Sequence, residues 1–334
     1  MSFLSLQFPQ RDIVGELRRF FNTQPMFSKI LVAVSGGRDS MALLHGLYLL
    51  NQRSCAPIKI EIATVHHGLR QEATLEVQGV LNYCDHIKVP AHVIYLDPPD
   101  NMPEGAQAWA RQARYQALES LRQRLDCQAI ALAHHRQDQV ETMLFRLFRG
   151  AVSETFIGIQ IITSTRIRPL LNVSRNDIDR FVAKHHIPYF EDPTNATLQY
   201  TRNRIRHELT PVVERIFGDS FATHLLQLGT DLFLDNQVLS EQSQLLFVAA
   251  KSTHQAHGLD IDKLKNLHLA HLKRVLRQFL LSFSSAHPMI KAHEWQRAHV
   301  ESLVVLVNQK KPHGHVRLPH DFCAYRQSQD LWIE

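Results

Sequence analysis

The chain predicts an α/β fold, a Rossmann-like parallel sheet with helices on both faces, followed by a smaller helix-rich domain. Three observations point there. Through the first half, short apolar runs alternate with longer segments of helical spacing. One run ends in Ser-Gly-Gly and opens directly into a helix. After about Phe217, long helical stripes replace the alternation. Strands joined through helices build a parallel sheet covered on both faces.

The strand candidates come first. Lys29–Val34 (KILVAV) is apolar and rich in β-branched residues, and Ile58–Val65 (IKIEIATV) alternates with a period of two. Ala91–Leu96 (AHVIYL) and Gln128–Ala133 (QAIALA) complete the set. Between them Met41–Leu50, Glu72–Asn82 and Ala106–Leu125 have helical length. In the last, Ala106, Trp109, Ala110, Ala113, Ala117 and Leu121 form a three-to-four stripe that suits a half-buried helix, with Trp109 in its core face. The turn signal Gly218-Asp219-Ser220 then separates an expected first domain, residues 1–216, from an accessory domain, 217–334. The accessory domain carries the stripe Leu272, Val275, Leu276, Phe279 and Leu280. It closes with strand-like Gly314–Leu318 and Leu331–Ile333, read as a hairpin.

Composition narrows the function. With 334 residues, 44% hydrophobic and 21% charged, the chain can bury a sizeable core. Its net charge of +5 favours a polyanionic partner without requiring one. Cys55, Cys84, Cys127 and Cys323 are isolated, form no C-x-x-C pair and are expected to be buried small hydrophobes. The N-terminus lacks a secretory pattern and no run of 18 apolar residues occurs, so the cytoplasm is expected and a membrane is not.

The most informative stretch is Val32–Leu44, which contains Ser35-Gly36-Gly37-Arg38-Asp39-Ser40. Glycines let consecutive N–H groups turn into one concavity, at a helix start that carries partial positive charge. That is an anion site. A carboxylate, Asp39, inside it suggests Mg²⁺ between carboxylate and phosphate. An ordinary capped strand–turn–helix would also fit these residues. Neither G-x-x-x-x-G-K-[ST] nor G-x-G-x-x-G is present.

The hexapeptide resembles the PP-loop, S-G-G-x-D-S, of N-type ATP pyrophosphatases. Further segments follow in order: Val65–Arg70 (VHHGLR), Glu104–Tyr115 (EGAQAWARQARY), Ala133–Thr142 (AHHRQDQVET), Arg149-Gly150, Arg168-Pro169-Leu170-Leu171 and Asp192–His207. Together they resemble the tRNA(Ile)-lysidine synthetase family along nearly the whole first domain. The resemblance implies a two-step reaction. ATP adenylates C2–O of the wobble cytidine, position 34, in the isoleucine tRNA with a CAU anticodon, and pyrophosphate leaves. The amine of free L-lysine then attacks C2 and expels AMP, which changes decoding from AUG to AUA.

The resemblance also assigns residues. Ser35, Gly36, Gly37, Arg38, Asp39 and Ser40 are the expected ATP-binding loop. Asp39, Arg114, His134, Asp138 and Glu141 are the expected catalytic set, with Mg²⁺ on Asp39 and Asp138. Arg149, Arg202 and Arg206 are expected tRNA contacts. Asp138 and Glu141, three apart, share a face if that segment is helical, and could hold metal, orient the amine or accept its proton. The expected partners are tRNA, lysine and ATP with Mg²⁺, with a homodimer left open. Gln137 stands where the family has the first of two acids, and His66 where Asn is common. Larger members carry a further C-terminal domain.

Blander readings stand beside these. The adjacent histidine pairs make no i, i+4 metal face, and Arg202–Arg206 could be a solvated helix face. Lys310 and Lys311 have the character of loop lysines. The rival functions are a PP-loop thiolase, which needs paired cysteines, a non-catalytic RNA-binding protein, and a small-molecule amidotransferase.

Overall fold

The computed structural model describes residues 12–24, 26–66, 72–97, 106–149, 156, 158–191, 201–218, 220–255, 257–287, 289–291 and 294–334. The motif residues 67–70, 104–105, 150 and 192–200 and the turn residue Asp219 lie outside them. The chain divides into two compact units, Met1–Thr230 and Asp231–Glu334. This division falls later than the expected boundary at 216/217, inside a helix that starts at Ser220.

The first unit opens with helix α1 (Ile13–Thr23), whose N-cap Asp12 accepts from the Gly15 N–H. Strand β1 (Lys29–Ala33), helix α2 (Arg38–Gln52), β2 (Lys59–His66), α3 (Glu72–Ile87), β3 (Ala91–Tyr95), α4 (Ala106–Arg124) and β4 (Ala129–Ala131) then alternate as expected. After α5 (Arg136–Phe148) come two short strands absent from the sequence reading, β5 (Ile162–Thr163) and β6 (Arg166–Ile167). Two residues are too few to show a period. Helix α6 (Arg175–Lys184) follows, capped by the Ser174 hydroxyl. Then come α7 (Thr201–Arg204), a π-helical turn at Ile205–Leu209, α8 (Thr210–Phe217) and α9 (Ser220–Ala249).

The sheet order is β3-β2-β1-β4-β6-β5. Every pairing is parallel except β5 with β6. Alternation places Ile30 and Val32 of β1 in the core against α1, α2 and α6, while Leu31 faces the core containing Leu118 and Leu121 of α4. Chain order runs outward from β1 to β2 on one side and resumes at β4 on the other. The carboxyl ends of β1 and β4 therefore flank the crevice where doubly wound sheets bind ligands.

The second unit packs α10 (Ile261–Lys265), α11 (Leu269–Ala286) and α12 (Arg297–Asn308) with an antiparallel sheet. Its order is β7 (Leu259–Asp260), β10 (Asp330–Ile333), β9 (Cys323–Gln327), β8 (His313–Arg317). The expected closing hairpin is thus a larger sheet. Strand β9 has no apolar period in sequence, because Tyr325 and Gln327 alternate with the small Ala324 and the buried Arg326. The Arg326 guanidinium donates to the carbonyls of Leu306, Val307 and Gln309 at 3.0, 3.1 and 2.7 Å, closing the C-terminus of α12. The expected stripe Leu272, Val275, Leu276, Phe279 and Leu280 is buried in this core. Of the cysteines, Cys84 and Cys127 are buried and Cys323 is half-buried. Cys55 is exposed, against expectation, because it lies in the loop between α2 and β2. No helix among the described residues is long and apolar enough to cross a membrane.

Candidate active site

The loop after β1 is built by its glycine and two hydroxyls. Gly36 sits at φ +82°, a conformation side chains resist, and its carbonyl accepts from the Phe190 N–H at 3.0 Å. The Ser40 hydroxyl donates to the Gly37 carbonyl at 2.8 Å and accepts from the Ser35 N–H at 3.2 Å, which folds the loop back on the first turn of α2. Gly37 is the N-cap and no side chain caps the helix, so the N–H groups of Arg38, Asp39 and Ser40 have no intrahelical acceptor. The Arg38 side chain does not join this cradle. It pairs with Asp179 at 2.7 Å and Glu191 at 2.6 Å, and lies over the Tyr189 ring. Its main-chain N–H is one of the groups at the helix start without an intrahelical acceptor.

Across the crevice, β4 is followed by Leu132-Ala133-His134-His135, and His135 is the N-cap of α5. The Asp138 carboxylate accepts from the His135 N–H at 2.9 Å, as an N3 cap does. Asp138 and Glu141 share a face of α5, as their spacing required. The two histidines have different surroundings. The His135 ring, 2% exposed, lies with Nε2 3.5 Å from Asp39 Oδ2 and 3.6 Å from Asp138 Oδ2. It thereby ties the loop after β1 to the helix after β4. Burial works against its charged form, but the Asp39 and Asp138 carboxylates outweigh burial and raise its pKa. Burial works against ionised Asp138 too, and His135 and Arg202 overcome it, holding that carboxyl low.

His134 is governed by burial. Burial, with contributions from Arg168, Arg202 and Arg111 against an opposing Asp138, pushes its pKa down to about 4. Its stabilising contribution is therefore complete above the ordinary histidine value of 6.5 and is lost as the pH falls toward about 4. The full shift is worth on the order of 3 kcal/mol. His135 works in the opposite sense, its contribution complete at low pH and lost as the pH rises through its raised pKa. Thermal melts at pH 7 and pH 4.5 should show a larger acid loss in the wild type than in His134→Asn. Equal losses would assign the acid sensitivity elsewhere.

Glu141, 2% exposed, receives both arginines expected to contact tRNA. Arg202 Nε donates to it at 2.8 Å and Arg206 Nε at 2.6 Å. Arg202 also donates to Asp138 Oδ1 at 2.9 Å, and Arg206 Nη2 lies 3.6 Å from the same oxygen. Arg206 stands on the π-helical turn, a feature common at functional sites. The sequence reading saw no acidic partner for this cluster, because the partners lie more than sixty residues away on α5. Arg149 is exposed at the C-cap of α5, 4.6 Å over the Phe145 ring. Arg114 is half-buried on α4 beside Tyr115, and burial depresses its pKa.

The sequence reading missed two site residues. One is His135. The other is Arg175, whose Nη1 donates to Asp39 Oδ2 at 3.1 Å while its own N–H goes to Gln137 Oε1 at 2.9 Å. Gln137 thus serves the first turn of α6, and a carboxylate there would accept the same bond. No signal marked Arg175, because its partner is 136 positions away. Asp39 Oδ1, His134 Nδ1 and His135 Nδ1 are buried without partners, and orphaned polar atoms of this kind suit a ligand. The free Asp39 oxygen fits a hard cation, whereas both Asp138 oxygens already accept hydrogen bonds.

The strand order, the glycine loop and the capless helix start define a PP-loop nucleotide-binding protein. Residues 9–213 match the family described as a PP-loop domain, and residues 259–332 match the TilS substrate binding domain. A tRNA(Ile)-lysidine synthase from Clostridium tetani is 30% identical over 96% of this chain and 68% of its own length. Another from Treponema denticola is 36% identical over 70% of this chain. The chain belongs to the tRNA(Ile)-lysidine synthase family. It spans about half the length of the Treponema protein. A solved U34-tRNA thiolase, NcsA from Methanococcus maripaludis with its 4Fe-4S cluster, shares the fold at a TM-score of 0.56 and 14% identity, over 66% of this chain and 78% of that one.

Proposed function

We propose that this chain ligates lysine to the wobble cytidine of the CAU-anticodon isoleucine tRNA, at the expense of ATP cleaved to AMP and pyrophosphate. The carrying observation is the His135 bridge, which sets the phosphate loop and Asp39 beside Asp138 across the crevice. In the first step the cytidine O2 attacks the α-phosphorus and pyrophosphate departs. The N–H groups at the start of α2 and the Ser35 hydroxyl receive the phosphates, while the Ser40 hydroxyl holds the loop in shape through Gly37 and Ser35. Mg²⁺ held by Asp39 would neutralise charge on the departing pyrophosphate. In the second step the lysine amine adds to C2, loses a proton and expels AMP. That amine has a reference pKa near 10.4, so a carboxylate must position it and receive a proton. Asp138 and Glu141 serve here, with their arginine partners fixing their rotamers and His135 buffering the charge between Asp39 and Asp138. His134, kept neutral by its surroundings, is suited to hydrogen bonding with the uncharged base.

The reading places the enzyme in the cytoplasm with ATP, lysine and tRNA as substrates, and leaves a homodimer open. Incubation with ATP, radiolabelled lysine and the tRNA transcript is expected to put label in RNA and to release AMP and pyrophosphate. Formation of ADP would overturn it.

A further inference from the structure

Four arginines, Arg111, Arg114, Arg166 and Arg168, collect about Tyr115. Three of them surround one ring: the guanidinium carbons of Arg166, Arg111 and Arg114 lie 4.3, 5.1 and 5.6 Å from the Tyr115 centroid. Arg168 follows Arg166 by two residues at the end of β6 and is only 8% exposed. Its Nη1 donates to the Gln160 carbonyl and the Thr163 hydroxyl, both uncharged.

Among the described residues no carboxylate pairs with Arg111, Arg114, Arg166 or Arg168. Glu119, one turn beyond Tyr115 on α4, is taken up by Arg122 and Thr165. A ring face attracts one cation, and two faces do not balance four mutually repelling ones. Nε of Arg166 and Nε of Arg168 are moreover buried with no acceptor. Burial depresses the pKa of Arg168, and Arg166 and Arg111 depress it further. Clustered, unpaired, partly desolvated guanidiniums with donors to spare call for an anion.

The geometry points to a second anion site, formed by Arg111, Arg166 and Arg168 with Arg114, that takes backbone phosphates of the RNA next to the reacting nucleotide. This rests on the RNA-modifying reading above. The occupant follows from the different charges near the two histidines. His135 lies 3.5 Å from Asp39 on the loop that serves the triphosphate, whereas His134 is under the influence of Asp138, Arg168, Arg202 and Arg111. A polyanion whose base reaches the crevice beside His134 leaves its flanking phosphates on the arginine side.

Filter binding of the tRNA transcript to the full chain at several salt concentrations tests the site, with ATP binding and competition by inorganic pyrophosphate measured in parallel. The Arg111→Gln/Arg166→Gln protein is expected to bind tRNA on the order of tenfold more weakly or worse at moderate salt. Its log K against log salt slope should shrink by about 0.7 to 0.9 for each phosphate no longer neutralised, with ATP binding unchanged. Arg111 is exposed, so Arg111→Gln alone should fold normally and reduce the slope by one phosphate's share. Arg111→Lys/Arg166→Lys should recover the slope. Unchanged slopes in Arg111→Gln and in the double variant would overturn the site. Weakened ATP or pyrophosphate binding with intact tRNA binding would overturn its occupant and make it a triphosphate subsite. Wild-type protein that binds ATP but no tRNA at any salt would overturn the RNA-modifying reading, and the RNA occupant with it.

Discussion

Asp39→Ala is expected to lower AMP and pyrophosphate release on the order of a thousandfold while the protein stays folded. Asp39 projects from the first turn of α2 with one oxygen on Arg175 and the other buried without a partner. The substitution removes the group proposed to hold the metal against the triphosphate, and lost charge stabilisation in a dry site costs on the order of 10²–10³ in rate. It also leaves His135 opposed by burial with Asp138 as the remaining close carboxylate, so the pKa of His135 should fall. Product analysis checks the first effect and imidazole titration by NMR the second. Normal turnover would give the loop another purpose. A His135 pKa that does not move would dissolve the bridge between loop and helix.

The second large effect is on stability. Arg202→Met/Arg206→Met leaves the Glu141 carboxylate, 2% exposed, without either guanidinium. Stripping the partners from a buried charge costs about 3–5 kcal/mol. For a unit of this size that lowers the melting temperature by roughly 6–20 °C. Adding Glu141→Leu removes the stranded charge and should restore most of the stability, because well-packed apolar groups replace buried ion pairs at little cost. Activity should not return. If the added substitution restores nothing, the arginines stabilise through other contacts. Calorimetry of the double and triple variants decides. Because the two guanidiniums already face two carboxylates, they are proposed to orient Asp138 and Glu141 more than to hold RNA phosphates, and the salt slope of tRNA binding should be nearly unchanged in the double variant.

Local signals were legible. The run KILVAV followed by SGGRDS is a strand, a left-handed glycine and a helix start, all set by neighbouring residues, and the structure keeps each. QAIALA reads as a strand in the same way, whereas the helix after it was only a condition for Asp138 and Glu141 to share a face, and α5 meets that condition. The short strands β5 and β6 escaped notice because a two-residue strand owes its conformation to the neighbour it pairs with. Strand β9 escaped for a related reason, since its inward Arg326 is buried only because the end of α12 supplies three carbonyls.

The candidate site divides along the same line. Sequence by itself determined the α/β alternation, the phosphate loop, the Asp138–Glu141 face and the family, since these depend on spacing within one or two elements. Tertiary structure alone decided which charges meet. Asp39 meets His135 and Arg175, Glu141 meets Arg202 and Arg206, and Arg166 meets Tyr115, although the partners are distant in sequence. Those pairings follow from the order β2-β1-β4-β6, which brings the carboxyl ends of β1 and β4 side by side. The order is chosen by packing two apolar faces of one sheet against helices from the whole unit, and no local window of sequence contains that information.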